Sequence, residues 1–496
     1  MNWVKRVHKW GNAHEWVLVL LLGVVVLRIP SLVTPHFYGD EEIYFVMGRA
    51  WREGVPLYRA MFDHKPPLIY ILAGIFPTIA TFRTMLVVMM LIHTVLFWKL
   101  VNLFWAGKSK IYAYLSSGLF VILSTLPTFE GLIVNAELLM MMPITLSLLI
   151  VWSGPIAWRR YLIAGLVAGV GWLYKIPVVF DFVAIALYLF VFREKTLKAG
   201  LMKMLSGSFF AFVGGFITPL LLTFVYYFLK GDGVDYLGTV LTMNLGYISS
   251  WSTSSYAFNP FQSGLLVRAM LLAVFVLSIY GLRKKLDKRL TLAALWCGWS
   301  LFGALLSFRP YPHYLQELVL AVSLLLPTLF TTRTIWGWSV WAMLIGGGIV
   351  TQQNVKFWGY PTLNVYRDFL EMTTGRISKI QYRERFDNTK RNYLIASYLN
   401  ERLSPSDEIF VWGSDPTVYN LTRRLPTGGR YIVSFHVKDL GKYDYVMENL
   451  RENVPKAIVV IAENNEFAEL ELMIQSRYIE VLRTNDAVVY WRLQEI

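Results

Sequence analysis

Long apolar runs separated by short polar loops dominate the first 351 residues of the chain. Uninterrupted runs of this kind are typical of bilayer helices rather than of soluble amphipathic helices. Several are shorter than the ~20 residues of a full crossing, so we expect tilted or kinked helices. The eleven predicted spans are 16–34, 84–105, 111–127, 134–152, 160–174, 176–192, 204–229, 265–282, 290–307, 313–331 and 334–351.

The pattern changes at about residue 352, where helix-like and strand-like stretches begin to alternate. This alternation predicts a small soluble α/β domain over 352–496, after a polytopic α-helical membrane domain over 1–351. We expect helices at 393–403, 439–450 and 466–474, and strands at 408–412, 457–461, 478–482 and 487–491.

Three further segments complete the predicted organisation. The loop 35–66 is predicted to be external and to contain juxtamembrane helices, and the aromatic, Ser- and Asn-rich segment 230–262 is predicted to be a second external loop. The segment 67–80 begins with two prolines and contains Gly74 and Pro77. We therefore expect it to be a short re-entrant or interfacial helix that packs against protein.

Basic residues explain both the topology and the formal charge of +14. Most lie in short loops between apolar runs, which positive-inside topology explains better than nucleic-acid binding. With eleven crossings all these loops fall on the cytoplasmic side, so the N-terminus is predicted to be cytoplasmic and 352–496 extracytoplasmic. The basic positions are the N-terminal tail, Lys108, Lys110, Arg159, Arg160, Arg193, Lys195, Lys198, Lys203, Arg283, Lys284, Lys285, Lys288, Arg289 and Arg333.

Several kinds of chemistry find no support in the sequence. The single cysteine, Cys297, allows neither a disulfide within the chain nor a cysteine-based metal site. The chain has no phosphate-binding GxxxxGK[ST] loop, dinucleotide fingerprint, GxSxG elbow or HExxH pair. Reactions that use soluble nucleotide sugars or ATP are therefore not indicated.

The first predicted external loop carries the strongest candidate chemistry. Asp40, Glu41 and Glu42 follow the first span, and Tyr44 lies one helical turn after Asp40. A carboxylate here can act as a general base toward an acceptor hydroxyl or amine. The alternative for Asp40 is a plain helix N-cap.

A lysine before a double proline forms the second part of this loop. Lys65 follows Asp63 and His64 and precedes Pro66 and Pro67. A fixed ammonium can bind a phosphate and stabilise the charge that develops on it as it leaves. The alternative is a lysine whose stem snorkels along apolar surface, although a cation at a helix N-terminus opposes the helix dipole.

Later loops on the same predicted side contribute further candidates. Glu137 begins the fourth span and is a candidate to orient the acceptor, share a proton or bind a divalent metal. Glu130 competes with it for this role, and the alternative for Glu137 is an ordinary acidic residue near a helix start. Lys175 lies between two spans, and Arg309 and His313 at the entry to the tenth can bind phosphate, with an interfacial anchor as the alternative for Arg309. A divalent metal remains open because carboxylates accompany His64 and His313, but the spacing matches no specific metal signature.

These motifs together resemble the GT-C membrane glycosyltransferases. An Asp-Glu pair after the first span, Tyr44, the HKPPL block at 64–68 and the PHY segment at 312–314 are similar to bacterial relatives of protein O-mannosyltransferases and of the lipid A aminoarabinose transferase. The resemblance covers about 16–351. It implies that Asp40 is the catalytic base, that Lys65 binds the donor phosphate, and that Glu137 corresponds to the second acidic residue of the family's site. Glu41, which follows Asp40 in the chain, is predicted to be a catalytic residue together with Asp40 and Glu137.

The resemblance also implies a reaction and its participants. The implied donor is a polyprenyl-phosphate sugar whose lipid lies in the bilayer, and the acceptor is a glycan, a lipid or a protein. The configuration at the anomeric carbon is expected to invert. The chain lacks the sugar-binding insert that protein O-mannosyltransferases carry between spans, which argues against protein mannosylation. The location implied is the inner or plasma membrane of the cell envelope. The compact first loop favours a monosaccharide donor over an oligosaccharide.

Two other classes of function compete with this one. A transporter or flippase of lipid-linked sugars would have pseudo-symmetric halves and ionisable residues in mid-span, and neither is visible. A polytopic scaffold or sensor whose tail binds a partner would leave the charged first loop unexplained. The sequence therefore favours the glycosyltransferase.

Overall fold

The structure is a computed structural model, and it describes residues 2–154, 157–244, 264–462 and 466–493. The predicted external loop 230–262 is only partly covered, since its portion 245–262 lies outside the described residues. The chain forms two compact units, which are described separately. The helical unit comprises Met1–Ser31, Arg83–Thr223 and Leu245–Thr362, and the mixed unit comprises Leu32–Phe82, Phe224–Asn244 and Leu363–Ile496.

Helices occupy all eleven positions predicted as membrane spans. Within the described residues, five helical segments are long and apolar enough to cross a membrane, namely Glu15–Leu32, Ile79–Phe104, Gly207–Leu229, Gly264–Leu282 and Pro312–Phe330. Three shorter apolar ones are Lys110–Leu123, Ala136–Trp152 and Val178–Phe192. The other three are Trp158–Trp172, Lys288–Ala304 and Ile335–Val355. The number of crossings stays a prediction, because length and composition alone identify a candidate span.

Two buried arginines of the helical unit donate to backbone carbonyls at the ends of helices. Arg28 ends the helix Asn2–Arg28 and donates to the carbonyl oxygen of Ser124 at 2.7 Å. Arg83 in the helix Ile79–Phe104 donates to the carbonyl oxygen of Ser31 at 2.9 Å. The last carbonyls of a helix have no partner within it, so a buried guanidinium is a suitable donor for them.

The mixed unit begins with two helices that pack closely through glycine. The helix Gly39–Arg52 lies against the short helix Leu68–Ile75, whose eight residues agree with the predicted short helix in 67–80. A β-carbon on Gly48 would lie 2.5 Å from the backbone nitrogen of Gly74. A substituted residue at position 48 would therefore force two backbones apart.

Gly48→Ala should lower the free energy of unfolding of the mixed unit by about 1–3 kcal/mol, because the extra methyl meets backbone atoms that cannot rotate away. Gly281→Ala is the matched control: it also lies in a helix, but a β-carbon there meets nothing within 4 Å. The control should be neutral or slightly stabilising. Thermal unfolding of both purified variants in detergent checks this, and equal melting temperatures would contradict the close approach.

The tail contains a four-stranded mixed sheet, which agrees with the predicted α/β character. The strands are Ile409–Trp412 (β1), Ala457–Ile461 (β2), Tyr478–Arg483 (β3) and Ala487–Arg492 (β4). Their order in the sheet is β1-β2-β4-β3, with β1 parallel to β2 and the other pairs antiparallel. All four lie where the sequence predicts strands.

Along the chain, the other helices described for the mixed unit either precede the sheet or connect its strands. The helix predicted at 466–474 is Ala468–Arg477, and the one at 393–403 is Thr389–Arg402. The others are Gly233–Leu237, Thr362–Thr373, Lys379–Arg383, Thr417–Thr422, Ser434–Leu440 and Tyr443–Glu452.

The single helix predicted at 439–450 is wrong, because the structure has two helices there. Ser434–Leu440 ends at Gly441, whose φ is 61°, and Tyr443–Glu452 begins after it. Glycine adopts this left-handed conformation without steric cost and so terminates helices. Apolar positions continue on both sides of Gly441, which concealed the break.

The loop 35–66 belongs to the same compact unit as the tail. Phe62 is part of the apolar core that β1, β2 and the tail helices form, and its backbone N–H donates to the carbonyl of Arg430 at 2.7 Å. The predicted division into domains 1–351 and 352–496 stays a prediction. The packing joins two segments from before residue 352 to the tail.

Candidate active site

Three carboxylates begin the helix Gly39–Arg52, but only one of them is accessible. Asp40 is 28% exposed, whereas Glu41 and Glu42 are fully buried. Glu42 contacts His36 Nδ1 at 2.8 Å and accepts a hydrogen bond from Asn420 Nδ2 at 2.7 Å, so it holds the helix in place. Acidic residues in the first turn are favoured by the helix dipole. Asp40 is thus the carboxylate of this group that a substrate can reach.

Asp40 is oriented by two neighbours in the same unit. The hydroxyl of Tyr44 donates to Asp40 Oδ2 at 3.2 Å, which confirms the predicted spacing of one helical turn. Lys65 Nζ lies 3.3 Å from the same oxygen and 5.1 Å from the centroid of the Tyr44 ring. A β-carbon on the preceding residue, Gly39, would meet nothing within 4 Å, so the backbone there is not crowded. The partly exposed Asp40 carboxylate and the Lys65 ammonium, whose side chain is only 10% exposed, form one polar group.

A buried aspartate lies behind Lys65. Asp63 is fully buried; its Oδ2 lies 3.7 Å from Lys65 Nζ and accepts a hydrogen bond from the Tyr70 hydroxyl at 2.7 Å. Burial raises the pKa of Asp63, but the charges of Lys65 and His64 outweigh it and hold the pKa well below its usual range. Asp63 is therefore an anion that holds the Lys65 side chain in place.

Two histidines approach the other oxygen of Asp63. His64 Nδ1 lies 3.1 Å and His436 Nε2 3.7 Å from Oδ1. Burial lowers the pKa of His436 to about 3. Tyr70 and His436 were not predicted as site residues, and Asp63 had no role beyond its place beside His64 and Lys65. His436 carries no local signal, because only folding brings the tail to this loop.

The helical unit contains a second group of buried charges. Lys175 lies between Glu137, with which it forms a short ion pair, and Glu317, whose Oε1 is 2.9 Å from its Nζ. Burial lowers the pKa of Lys175, but these two carboxylates outweigh it and raise the pKa above its usual value. The Tyr314 ring centroid lies 4.3 Å from the same ammonium. Glu317 was missed from the sequence, although it lies only four residues after His313, in the same 3-10 helix Pro312–Leu318.

His313 joins both acidic candidates of this second group. Its Nδ1 lies 2.6 Å from Glu130 Oε2, and its Nε2 lies 3.7 Å from Glu137 Oε1. Glu130 ends the short 3-10 turn Pro127–Phe129 with a φ of 58°. The structure therefore brings Glu130, Glu137, Lys175 and His313 together in one cluster. Arg309 is buried in the same unit.

The predicted site residues thus form two groups, each within one unit. Asp40, Glu41, Tyr44, His64 and Lys65 belong to the mixed unit. Glu130, Glu137, Lys175, Arg309 and His313 belong to the helical unit. The catalytic and phosphate-binding roles assigned to them from the sequence stay predictions.

Comparison with known proteins identifies the fold but gives no close relative. No protein-family model matches the chain, and no curated protein matches it significantly. The crystal structure of ArnT from Cupriavidus metallidurans bound to undecaprenyl phosphate is similar to it, with a TM-score of 0.54 at 14% identity; the similarity covers 96% of this chain and 98% of that one. The apo structure of the same protein gives a TM-score of 0.54 at 13% identity, covering 97% and 98%.

At this identity the similarity establishes the fold, which extends over almost the whole of both chains. ArnT is a lipid A aminoarabinose transferase with the GT-C fold. A polytopic helical membrane part with a small C-terminal sheet region, as predicted, agrees with this match. The chain therefore has an ArnT-like GT-C fold, as its first-loop motifs predict.

Proposed function

We propose that the chain is a GT-C membrane glycosyltransferase that transfers a sugar from a polyprenyl-phosphate donor to an acceptor. The observation that carries this proposal is the accessible Asp40 carboxylate 3.3 Å from the Lys65 ammonium. The ArnT-like fold supports it, because the ArnT of the similar structure binds undecaprenyl phosphate.

The proposed reaction is a single displacement. Asp40 accepts a proton from an acceptor hydroxyl or amine, and the acceptor atom forms a bond to the anomeric carbon. The bond from that carbon to the phosphate oxygen breaks, the phosphate leaves with the electron pair, and the configuration inverts. A base must reach the proton that it removes, and Asp40 is the exposed member of the three carboxylates.

Lys65 supplies the positive charge that this leaving group needs. An ammonium already fixed before the reaction stabilises a developing phosphate anion without reorganisation. Asp63 and Tyr44 hold the Lys65 side chain between them. We propose that the donor phosphate binds at Lys65 and places the sugar beside Asp40.

The second group of charges has a separate proposed part in the reaction. Glu137 is proposed as the second acidic residue, and Arg309 and His313 as additional phosphate contacts. His313 contacts the carboxylates of Glu130 and Glu137, so a phosphate would have to compete with them. Glu41, which is buried, is proposed to support Asp40.

The orientation in the membrane follows the proposed chemistry. The N-terminus is proposed to be cytoplasmic, and the tail and both external loops extracytoplasmic, in the inner or plasma membrane. The acceptor is a glycan, a lipid or a protein on that side. A monosaccharide donor is proposed.

Transfer from a panel of radiolabelled polyprenyl-phosphate sugars tests the proposal. The purified chain in detergent, supplied with total envelope lipid and glycan as acceptor, should consume one donor and release polyprenyl phosphate. Binding of polyprenyl phosphate alone should be measurable in the same preparation. A chain that binds and consumes no lipid-linked donor would contradict the proposal, and movement of intact donor across vesicles would favour a flippase.

Lys65→Ala should lower kcat/KM for the donor by about 100- to 1,000-fold, the usual cost of losing one charge-stabilising donor. Lys65→Arg should keep part of the activity because it keeps the charge. Lys456→Ala is the matched control, since Lys456 pairs with Asp407 in the tail, at 3.0 Å. Initial rates over a donor titration check this, and wild-type kinetics of Lys65→Ala would contradict the assignment.

A further inference from the structure

The backbone of Lys65 is held by two tyrosine hydroxyls rather than by a helix or a strand. The Tyr58 hydroxyl donates to the Lys65 carbonyl oxygen at 3.0 Å, and the Lys65 N–H donates to the Tyr70 hydroxyl oxygen at 3.1 Å. Lys65 lies in a bend outside the regular elements. Buried backbone N–H and C=O groups need partners, and here two side chains supply both. The position of the Lys65 backbone therefore depends on these two hydroxyls.

The Tyr70 hydroxyl connects the backbone of Lys65 to the carboxylate beside its ammonium. It donates to Asp63 Oδ2 at 2.7 Å while it accepts from the Lys65 N–H, and the same Asp63 oxygen lies 3.7 Å from Lys65 Nζ. Tyr70 is fully buried on the helix Leu68–Ile75. A hydroxyl can donate one hydrogen bond and accept others, and this one does both around Lys65. It thereby fixes the backbone of Lys65 relative to the carboxylate that holds its side chain.

Tyr58 is held in a backbone conformation that residues other than glycine rarely adopt. Its φ is 71°, and a left-handed backbone is costly for a bulky residue. Its N–H donates to the carbonyl oxygen of Met61 at 2.7 Å, and its own carbonyl oxygen accepts from Arg430 Nη1 at 3.1 Å. Strained residues persist where the surrounding contacts fix them, and they are concentrated at functional sites. The strain at Tyr58 therefore suggests that its side chain has a functional part.

The ring of Tyr58 is packed so that its hydroxyl stays directed at Lys65. The rings of Tyr227 and Tyr236 pack edge-on against it, each with its centroid 5.3 Å away, and Tyr58 is fully buried. Burial also raises the pKa of Tyr58 well above its usual value. The hydroxyl therefore keeps its proton at neutral pH and remains a hydrogen-bond donor.

We propose that Tyr58 and Tyr70 are positioning residues that fix Lys65 for the sugar transfer. They hold the ammonium in place before the donor phosphate begins to leave. A charge that is fixed in advance stabilises the transition state without reorganisation, and displacing a positioned group by about 1 Å can cost roughly 100-fold in rate. This inference rests on the proposed function, because it assigns the two tyrosines a part in a reaction that uses Lys65.

Tyr58→Phe and Tyr70→Phe should each lower kcat by about 10- to 100-fold, because each removes one hydroxyl that places Lys65. The dissociation constant of polyprenyl phosphate should change by less than about fivefold, since the attraction between two charges varies slowly with distance. Initial rates over a donor titration and binding of polyprenyl phosphate to the purified full-length protein in detergent measure the two effects. Either variant is sufficient if the other does not fold.

Tyr236→Phe is the matched control for both variants. Tyr236 is a buried tyrosine of the same unit, and its hydroxyl makes no hydrogen bond with any residue that the structure describes. The substitution keeps the ring that packs against Tyr58. Its kcat and its affinity for polyprenyl phosphate should therefore equal those of the wild type.

Double variants distinguish the positioning of Lys65 from a general structural effect. Substitutions that act through the same group are not additive. In a Lys65→Ala background, Tyr58→Phe or Tyr70→Phe should lower kcat by less than about a further twofold, because no ammonium is left to position. A purely structural role would give the same fold loss in both backgrounds.

Amide hydrogen exchange tests the hold on Lys65 without donor or acceptor. Tyr70→Phe should speed exchange of the Lys65 N–H by about tenfold, since this N–H loses its hydrogen-bond acceptor. Tyr236→Phe should leave that exchange unchanged. Mass spectrometry with fragmentation of the peptide that contains Lys65 measures the rate at this residue.

Three results would overturn the proposal. The first is exchange of the Lys65 N–H in Tyr70→Phe at the wild-type rate. The second is wild-type kcat in both single variants, and the third is an undiminished fold loss in the Lys65→Ala background. A wild-type protein that consumes no donor would overturn the proposed function and with it the part of the tyrosines in transfer, whereas the exchange rates would still decide whether Tyr70 holds Lys65.

Discussion

Asp40→Asn should fold as the wild type does and lose sugar transfer by about 100- to 10,000-fold, the usual contribution of a general base. The amide has nearly the same shape as the carboxylate and can still accept the Tyr44 hydrogen bond, but it cannot take up a proton. The side chain is 28% exposed, so the substitution disturbs little packing. The turnover number with saturating donor is the measurement.

Donor affinity separates the loss of a base from the loss of a binding group. Removing the negative charge of Asp40 should leave binding of polyprenyl phosphate unchanged or tighter, because Lys65 then interacts with one carboxylate fewer. Lys65→Ala should weaken the same binding. Asp444→Asn, at an exposed position in the tail helix Tyr443–Glu452, is the matched control and should have wild-type turnover. Full activity of Asp40→Asn would mean that another carboxylate acts as the base. Glu41→Gln would then be the next variant to test.

Lys175→Met should destabilise the helical unit by about 3–5 kcal/mol, the usual cost of removing one partner from a buried charge pair. Lys175 is the cation between Glu137 and Glu317, and both carboxylates are buried. Methionine keeps the length and apolar stem of the side chain, so the lost charge accounts for most of the effect. Thermal unfolding in detergent measures it.

The control for this variant is an ion pair of the same chemistry near the surface. Lys203 pairs with Glu194, and their side chains are 27% and 26% exposed. Lys203→Met should cost only about 0–1 kcal/mol. Adding Glu317→Gln to Lys175→Met should recover part of the stability, since it removes one uncompensated carboxylate. A stable Lys175→Met protein that loses sugar transfer would instead make Lys175 a functional lysine.

The two groups of charges differ in what they suggest about function. In the first group Asp40 is 28% exposed, so a substrate can reach its carboxylate and the neighbouring, mostly buried Lys65. The cluster around Lys175 is almost entirely buried and its charges are largely paired with one another. Buried paired charges are weak evidence for stability but costly to break. The strongest activity effects are therefore expected at Asp40 and Lys65.

Local patterns of the sequence were sufficient for the helices at the predicted spans and for the four strands of the tail. Apolar runs predicted the helices of the first 351 residues because a bilayer span needs a continuous apolar surface and internally satisfied backbone groups. Alternating short elements predicted the sheet of the tail. The predicted spacing of one helical turn between Asp40 and Tyr44 agrees with their hydrogen bond. The break at Gly441 was missed because apolar residues continue across it.

The chain by itself thus determined its fold class and most of its elements, and it predicted the first loop as the place of its chemistry, since these depend on neighbours in sequence. Only the tertiary structure decided which charged side chains pair with one another. It brought His436 from the tail to Asp63, and Glu317 and Glu137 to opposite sides of Lys175. It also made Asp40 accessible while burying Glu41 and Glu42. Burial and pairing depend on packing between segments that are distant in sequence, and no local pattern records them.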